Sequence, residues 1–319
     1  MKSHSAEGSG NDVALLSQHG AMLTRKTLVN RVTGRQPSYA TSAEMEDWKK
    51  HATAVVTGAN KGIGFAIAKK LGKEGVTTIL TARNPELGAA AQKQLKEEGV
   101  DVEFHQLDIS DKDSVKSFAK WLEKEHGGLD ILVNNAGFAF KGNTFGANEA
   151  RQTNAINYFG TRNVTQELLP LLKKSSAGAR VVTVGSRAGT LSILSPELQR
   201  KFSDPELTLE QLDQLMNEFP NQIEAGTYKQ NGWPASMYGV SKVGVAAFNR
   251  ILARDLAKRG DDGKVLVNVC CPGYVNTDMS SHRGYKTIDE GADTPVWLAL
   301  QPPDGPSGRF FTDRRDVGY

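Results

Sequence analysis

The chain has 319 residues, 39% hydrophobic, 24% charged and 7% aromatic, and no apolar run nears the ~20 residues of a membrane-spanning helix. Lys and Arg total 39 against 36 Asp and Glu, a net charge of +3 too balanced to call for nucleic acid. Two adjacent cysteines, Cys270 and Cys271, and six scattered histidines exclude a disulfide scaffold and a metal-ligand cluster, so a soluble protein holding no metal is expected.

Residues 1–50 lack any strand–helix rhythm and are rich in Ser, Thr, Gly and Asn. No acid falls between Asp12 and Glu44, while Arg25, Lys26, Arg31 and Arg35 are basic. A disordered extension on a cytoplasmic protein is expected here. The same composition is that of a transit peptide, with mitochondrion or plastid as the alternative destination.

From residue 51 a strand–helix alternation begins, and a single domain over 51–319 is expected. Strands are predicted at 54–57, 77–81, 102–107, 131–133, 180–184 and 265–270, and helices at 63–71, 86–98, 114–126, 150–172 and 238–257. Short apolar strands between helices imply a parallel sheet covered on both faces: a doubly wound, Rossmann-like α/β fold. Residues 190–234 break the rhythm. Ser195-Pro196 reads as a helix start, Thr208 to Gln211 as a capping box, and Leu209, Leu212, Leu215, Met216 and Phe219 as an apolar stripe. A helical insertion is expected there.

Thr57-Gly58-Ala59-Asn60-Lys61-Gly62-Ile63-Gly64 joins the first strand to its helix. Gly58 permits a tight turn, Gly62 lets the backbone approach a pyrophosphate, and Gly64 allows close helix packing. The helix N-terminus beyond them suits phosphate. After the second strand, an NAD-preferring chain places an acid for the ribose 2′-hydroxyl. This chain has Arg83, which can pair with a 2′-phosphate, and Lys61 offers a second charge, so NADPH is the expected cofactor.

Tyr238 and Lys242 stand four residues apart, on one helical face. A neighbouring cation pulls a phenol's pKa down and equips it for proton transfer. Ser186 ends the strand at 181–184, on the carboxyl edge where such sheets bind ligands, and Asn134-Asn135-Ala136-Gly137 ends another. Trp233, Tyr274 and Met279 offer an apolar and aromatic wall for substrate.

Together these motifs resemble the short-chain dehydrogenase/reductase family over residues 54–319. Gly62 to Phe65, Phe104 to Asp108, Gly232-Trp233-Pro234 and Cys270 to Gly273 look like its monomeric NADPH-dependent carbonyl reductases and their plant relatives. The resemblance implies reduction of ketones, aldehydes or quinones by hydride transfer. Tyr238 would be the general acid, Lys242 would hold the nicotinamide ribose, and Ser186 would position the carbonyl. Asn157 would anchor a proton-relay water, with Asn154 one helical turn earlier as the other candidate. The cofactor contacts would be Gly58, Asn60, Lys61, Gly62, Ile63, Gly64, Arg83, Asp108, Ile109, Asn135, Ala136, Gly137, Tyr238, Lys242, Pro272, Gly273, Val275 and Thr277. A reductase selective for one bulky terpenoid or alkaloid ketone is the nearer alternative. A non-catalytic NADPH sensor is the more distant one.

Overall fold

The computed structural model describes residues 42–172, 178–258 and 265–319. The expected disordered extension falls outside the described residues as far as residue 41. Its last part needs correction, because Ser42–His51 is a helix, α1. Glu44 in its first turn and Lys49, Lys50 and His51 in its last complement the helix dipole. Trp48 anchors it, with the guanidinium of the fully buried Arg180 4.1 Å from its ring centroid.

Then β1 (Thr53–Val56), α2 (Gly62–Lys73), β2 (Thr77–Ala82), α3 (Pro85–Glu97), β3 (Glu103–Gln106), α4 (Lys112–His126) and β4 (Ile131–Asn134) alternate. Local chemistry sets the helix starts: Asn84 accepts from the Leu87 amide ahead of Pro85, and Asp111 accepts from the Asp113 amide. Helices α5 (Ala147–Asn154) and α6 (Thr161–Leu168) follow, then β5 (Ala179–Val184). The single helix expected over 150–172 is instead interrupted by a π turn at Ala155–Gly160. The insertion holds α7 (Pro196–Ser203), capped by Ser195, and α8 (Leu209–Glu224), opened by the Thr208–Gln211 capping box. The chain closes with α9 (Met237–Lys258), β6 (Val265–Cys271), α10 (Ile288–Gly291), α11 (Asp293–Ala299), β7 (Arg309–Thr312) and β8 (Arg315–Asp316).

The eight strands run in the order β3-β2-β1-β4-β5-β6-β7-β8, parallel except for the β7–β8 pair. The fold is therefore doubly wound. Every residue of β1, β4 and β5 is buried, as strands covered on both faces must be. Successive side chains serve opposite layers. Val55 and Leu132 join the core under α4, α6, α8 and α9, whereas Val56 and Val133 join the one under α2, α3 and α11. Strand order reverses direction between β1 and β4, and that switch point opens a crevice at their carboxyl ends.

Candidate active site

The crevice is a cleft of about 450 Å³. Its floor on the β1 side is the glycine turn. Gly58 and Gly62 adopt φ of 61° and 62°, and an added Cβ at Gly58 would lie 2.9 Å from Ala136 Cα. An added Cβ at Gly64 would collide with the Asn135 amide and lie 2.6 Å from the Gly58 carbonyl. The turn is stitched to the end of β4: Asn135 Nδ2 donates to the Thr57 and Gly58 carbonyls at 2.9 and 3.0 Å, and Thr57 Oγ1 accepts from the amides of Asn135 and Ala136. Asn135 thus has its amide nitrogen committed to holding the turn. Its neighbour Asn134 is buried and donates to Thr165 Oγ1.

These residues fit a dinucleotide phosphate. Lys61 provides no side-chain cap for α2, and the first turn of that helix carries no acid, so its amides are left to an anion. Asn60, Ile63, Gly64, Ala136 and Gly137 also line the cleft. Arg83 lies exposed on its wall, with no side-chain hydrogen bond or ion pair among the described residues. Asp108 and Ile109 line the same wall, the carboxylate accepting from the amide and hydroxyl of Ser110. Lys61 is not free. Its ammonium donates to Asp278 at 2.6 Å, across the mouth from the segment after β6.

At the other end α9 brings Tyr238 and Lys242 beneath the ends of β5 and β6. Lys242 is buried and donates to the Val184 carbonyl at 2.7 Å, with Nζ 5.7 Å from the Tyr238 ring centroid. Burial pushes its pKa down to about 8. Ser186 opens a short turn, Arg187–Gly189, by accepting from the Ala188 amide, and its side chain is close enough to the phenol to pull its pKa downward.

Here the expectation of a lowered phenol pKa meets the opposite sign. Desolvation pushes Tyr238 up to about 12, with only the Ser186 side chain pulling the other way. The Lys242 charge sits over the ring and is held by a carbonyl rather than aimed at the phenolic oxygen.

The π turn places Asn157, not Asn154, at this end. Asn157 Oδ1 accepts from the Phe138 amide, while Nδ2 donates to the Phe138 carbonyl and to Ser241 Oγ. A Cβ added at Gly137 would stand 3.6 Å from both Asn157 Oδ1 and Lys242 Nζ. Asn154 turns away and donates to the Met216 carbonyl in the insertion.

Four expected contacts lie elsewhere. Trp233 is 3% exposed and packs against Phe202 and Phe219, so it belongs to the insertion's core rather than a substrate wall. Val275 is buried beside Gly291, and Gly273, at φ 85°, turns under the Lys286 side chain. Tyr274 is half exposed, edge-on to Tyr285 and outside the cleft wall, whereas Met279, Pro272 and Thr277 line it. The sequence reading missed Phe138, Asn276, Asp278 and His282, all on the wall. Each follows within a few residues of a motif it had already marked, so extending those motifs by one turn would have found them.

The sequence matches the short chain dehydrogenase family over residues 52–195 and 224–287. This chain belongs to that family. The gap in the match coincides with α7 and α8, the inserted helices. Human carbonyl reductase (NADPH) 1, from Homo sapiens, is 47% identical over 269 residues, covering 82% of this chain and 96% of the relative. The protein of the same name from Bos taurus is 46% identical over 276 residues, covering 84% and 99%. Among solved structures, salutaridine reductase from Papaver somniferum superposes with a TM-score of 0.75 at 34% identity, covering 82% of this chain and 99% of that one. Menthone neomenthol reductase from Mentha piperita gives 0.71 at 32%, covering 82% and 98%.

Proposed function

We propose that this protein reduces ketones, aldehydes or quinones to alcohols with NADPH. The observation that carries the reading is the phenol of Tyr238, neighboured by Ser186 and backed by Lys242 at one end of a cleft whose other end is a glycine turn flanked by Arg83. The relatives named as NADPH carbonyl reductases support it.

Bound NADPH supplies the hydride. Tyr238, kept protonated by its burial, donates its proton to the carbonyl oxygen as that oxygen gains charge, and the Ser186 hydroxyl stabilises the same oxygen. Lys242 favours proton release by placing an ammonium beside the ring. Asn157 ties the start of α9 to the Phe138 backbone on the cleft wall, which holds these groups in register. Arg83 and Lys61 take the 2′-phosphate, with the glycine turn on the pyrophosphate. The remaining contacts are assigned to Asp108, Ile109, Pro272 and Thr277, and Met279 faces substrate.

Residues 51–319 act as one catalytic domain in a monomeric, cytoplasmic protein. Among the described residues no helix is long and apolar enough to cross a membrane. A reductase confined to one bulky ketone is the second reading, favoured by the likeness to the two plant reductases. Replacing Tyr238 with Phe is expected to slow NADPH oxidation by a carbonyl panel about 10²–10⁴-fold while cofactor binding persists. Near-normal turnover in Tyr238→Phe would remove the phenol from the mechanism. Turnover of a single bulky ketone across the panel would favour the second reading.

A further inference from the structure

Lys61 is expected to meet a phosphate, yet it is already bound. Its Nζ donates to Asp278 Oδ2 at 2.6 Å, and the Lys61 ammonium holds that carboxyl below its usual range. The other oxygen, Oδ1, stands 2.9 Å from His282 Nε2, whose second ring nitrogen meets Asn276 Oδ1 at 3.0 Å. All four side chains border the cleft. Among the described residues Asp108 is the only other acid on its wall, and that carboxylate is engaged by Ser110. Asp278 is therefore the acid that competes at the phosphate end. At 67% and 52% exposure Lys61 and Asp278 form a solvated pair, of the kind that breaks at little cost.

We propose that Asp278 is a built-in competitor for the 2′-phosphate of NADPH. The inference rests on the reading that Arg83 and Lys61 take that phosphate. In the free protein the carboxylate occupies Lys61. On binding, the phosphate displaces it, and Asp278 keeps its contact with the His282 ring. Asp278 thereby weakens the grip on phosphorylated cofactor and favours its release after turnover. The phosphate is the stronger partner, since it offers more acceptor oxygens and more charge than one carboxylate.

The test is equilibrium binding of NADPH and NADH, followed by cofactor fluorescence at low ionic strength. Asp278→Asn is expected to tighten NADPH about three- to fivefold, the scale of one exposed ion pair, and to leave NADH within twofold. In a Lys61→Met background the same change is expected to tighten NADPH by less than 1.5-fold, because there is no cation left to release. Unchanged or weaker NADPH binding in Asp278→Asn overturns the proposal. So does equal tightening of NADH, or tightening that survives the loss of Lys61, since either would report general charge repulsion. Arg83→Ala separates the two levels: it must weaken NADPH and spare NADH. If it does not, the assignment of the 2′-phosphate fails. If it does while Asp278→Asn is silent, only the competitor fails. Asp278→Ser, which removes the charge with a different shape, repeats the measurement should the asparagine variant be poorly folded.

Discussion

Burial moves Tyr238 and Lys242 in directions that separate their tasks. The phenol, at about 12, stays protonated throughout the neutral range, which suits an acid that must hold its proton until the carbonyl oxygen needs it. The ammonium, at about 8, is the group that titrates near working pH. Its charged form predominates below that value, and the charge is lost as pH rises through it. Carbonyl reduction should accordingly show a kcat/KM plateau below about pH 8 and a fall above it, although the acid itself remains protonated. A pH–rate profile with NADPH checks this. A fall beginning only near pH 12 would assign control to the phenol alone. None of this sign was visible in the sequence. A Tyr and a Lys four residues apart say that the two share a helical face, but not that the lysine's proton is directed to the Val184 carbonyl while its charge sits over the ring.

The elements of the candidate active site are brought together by absent side chains. The turn carrying Ser186 ends at Gly189, and a Cβ there would collide with Lys242 Cβ and lie 2.6 Å from the Lys242 carbonyl carbon and 2.8 Å from the Val243 nitrogen. Backbone cannot yield as a flexible side chain can, so Gly189→Ala must push the turn away from α9 and carry Ser186 away from Tyr238. The expected result is a loss of about 10²-fold in kcat with NADPH affinity kept within threefold, because the glycine turn on the opposite side of the cleft is untouched. Stopped-flow turnover and cofactor titration separate the two quantities. Equal losses in both would instead mean that the whole sheet edge had shifted. At this scale much was legible. The strands and the glycine turn follow from apolar runs and glycine spacing, because a fully covered parallel strand has few other compositions. The π turn was not legible, since 147–168 has the composition of continuous helix and the interruption reflects contacts with Phe138 and Ser241 distant in sequence. Trp233 was misread for a similar reason: its ring partners, Phe202 and Phe219, lie in inserted helices whose docking no local pattern encodes.

At the scale of the molecule, the insertion touches the π turn beside the candidate active site through a polar contact in an apolar setting. Asp213 on α8 accepts from the Tyr158 hydroxyl at 2.7 Å and pairs with Arg162. Tyr158 is fully buried in the π turn, one residue from Asn157, and Arg162 opens α6 just beyond it. Burial and the Asp213 carboxylate both push the Tyr158 pKa upward, so the hydroxyl keeps its proton and acts only as a donor here. Removing Asp213 leaves a buried hydroxyl without its acceptor and a mostly buried guanidinium with only Asn163 Oδ1, a larger cost than the pair's own net stabilisation. Asp213→Ala should cost roughly 2 kcal/mol and lower Tm by about 4–8 °C. Gln214→Ala, on the exposed side of the same helix, should stay within about 0.5 kcal/mol of the parent. The decisive comparison is kinetic and is made well below the variant's Tm. If α8 supports the π turn, kcat in Asp213→Ala falls as Asn157 loses its fixed position, while NADPH binding at the distant glycine turn is unchanged. A variant that is merely less stable, with full kcat when folded, would make the insertion a passive cover on the helical face and leave Asn157 held by Phe138 and Ser241 alone.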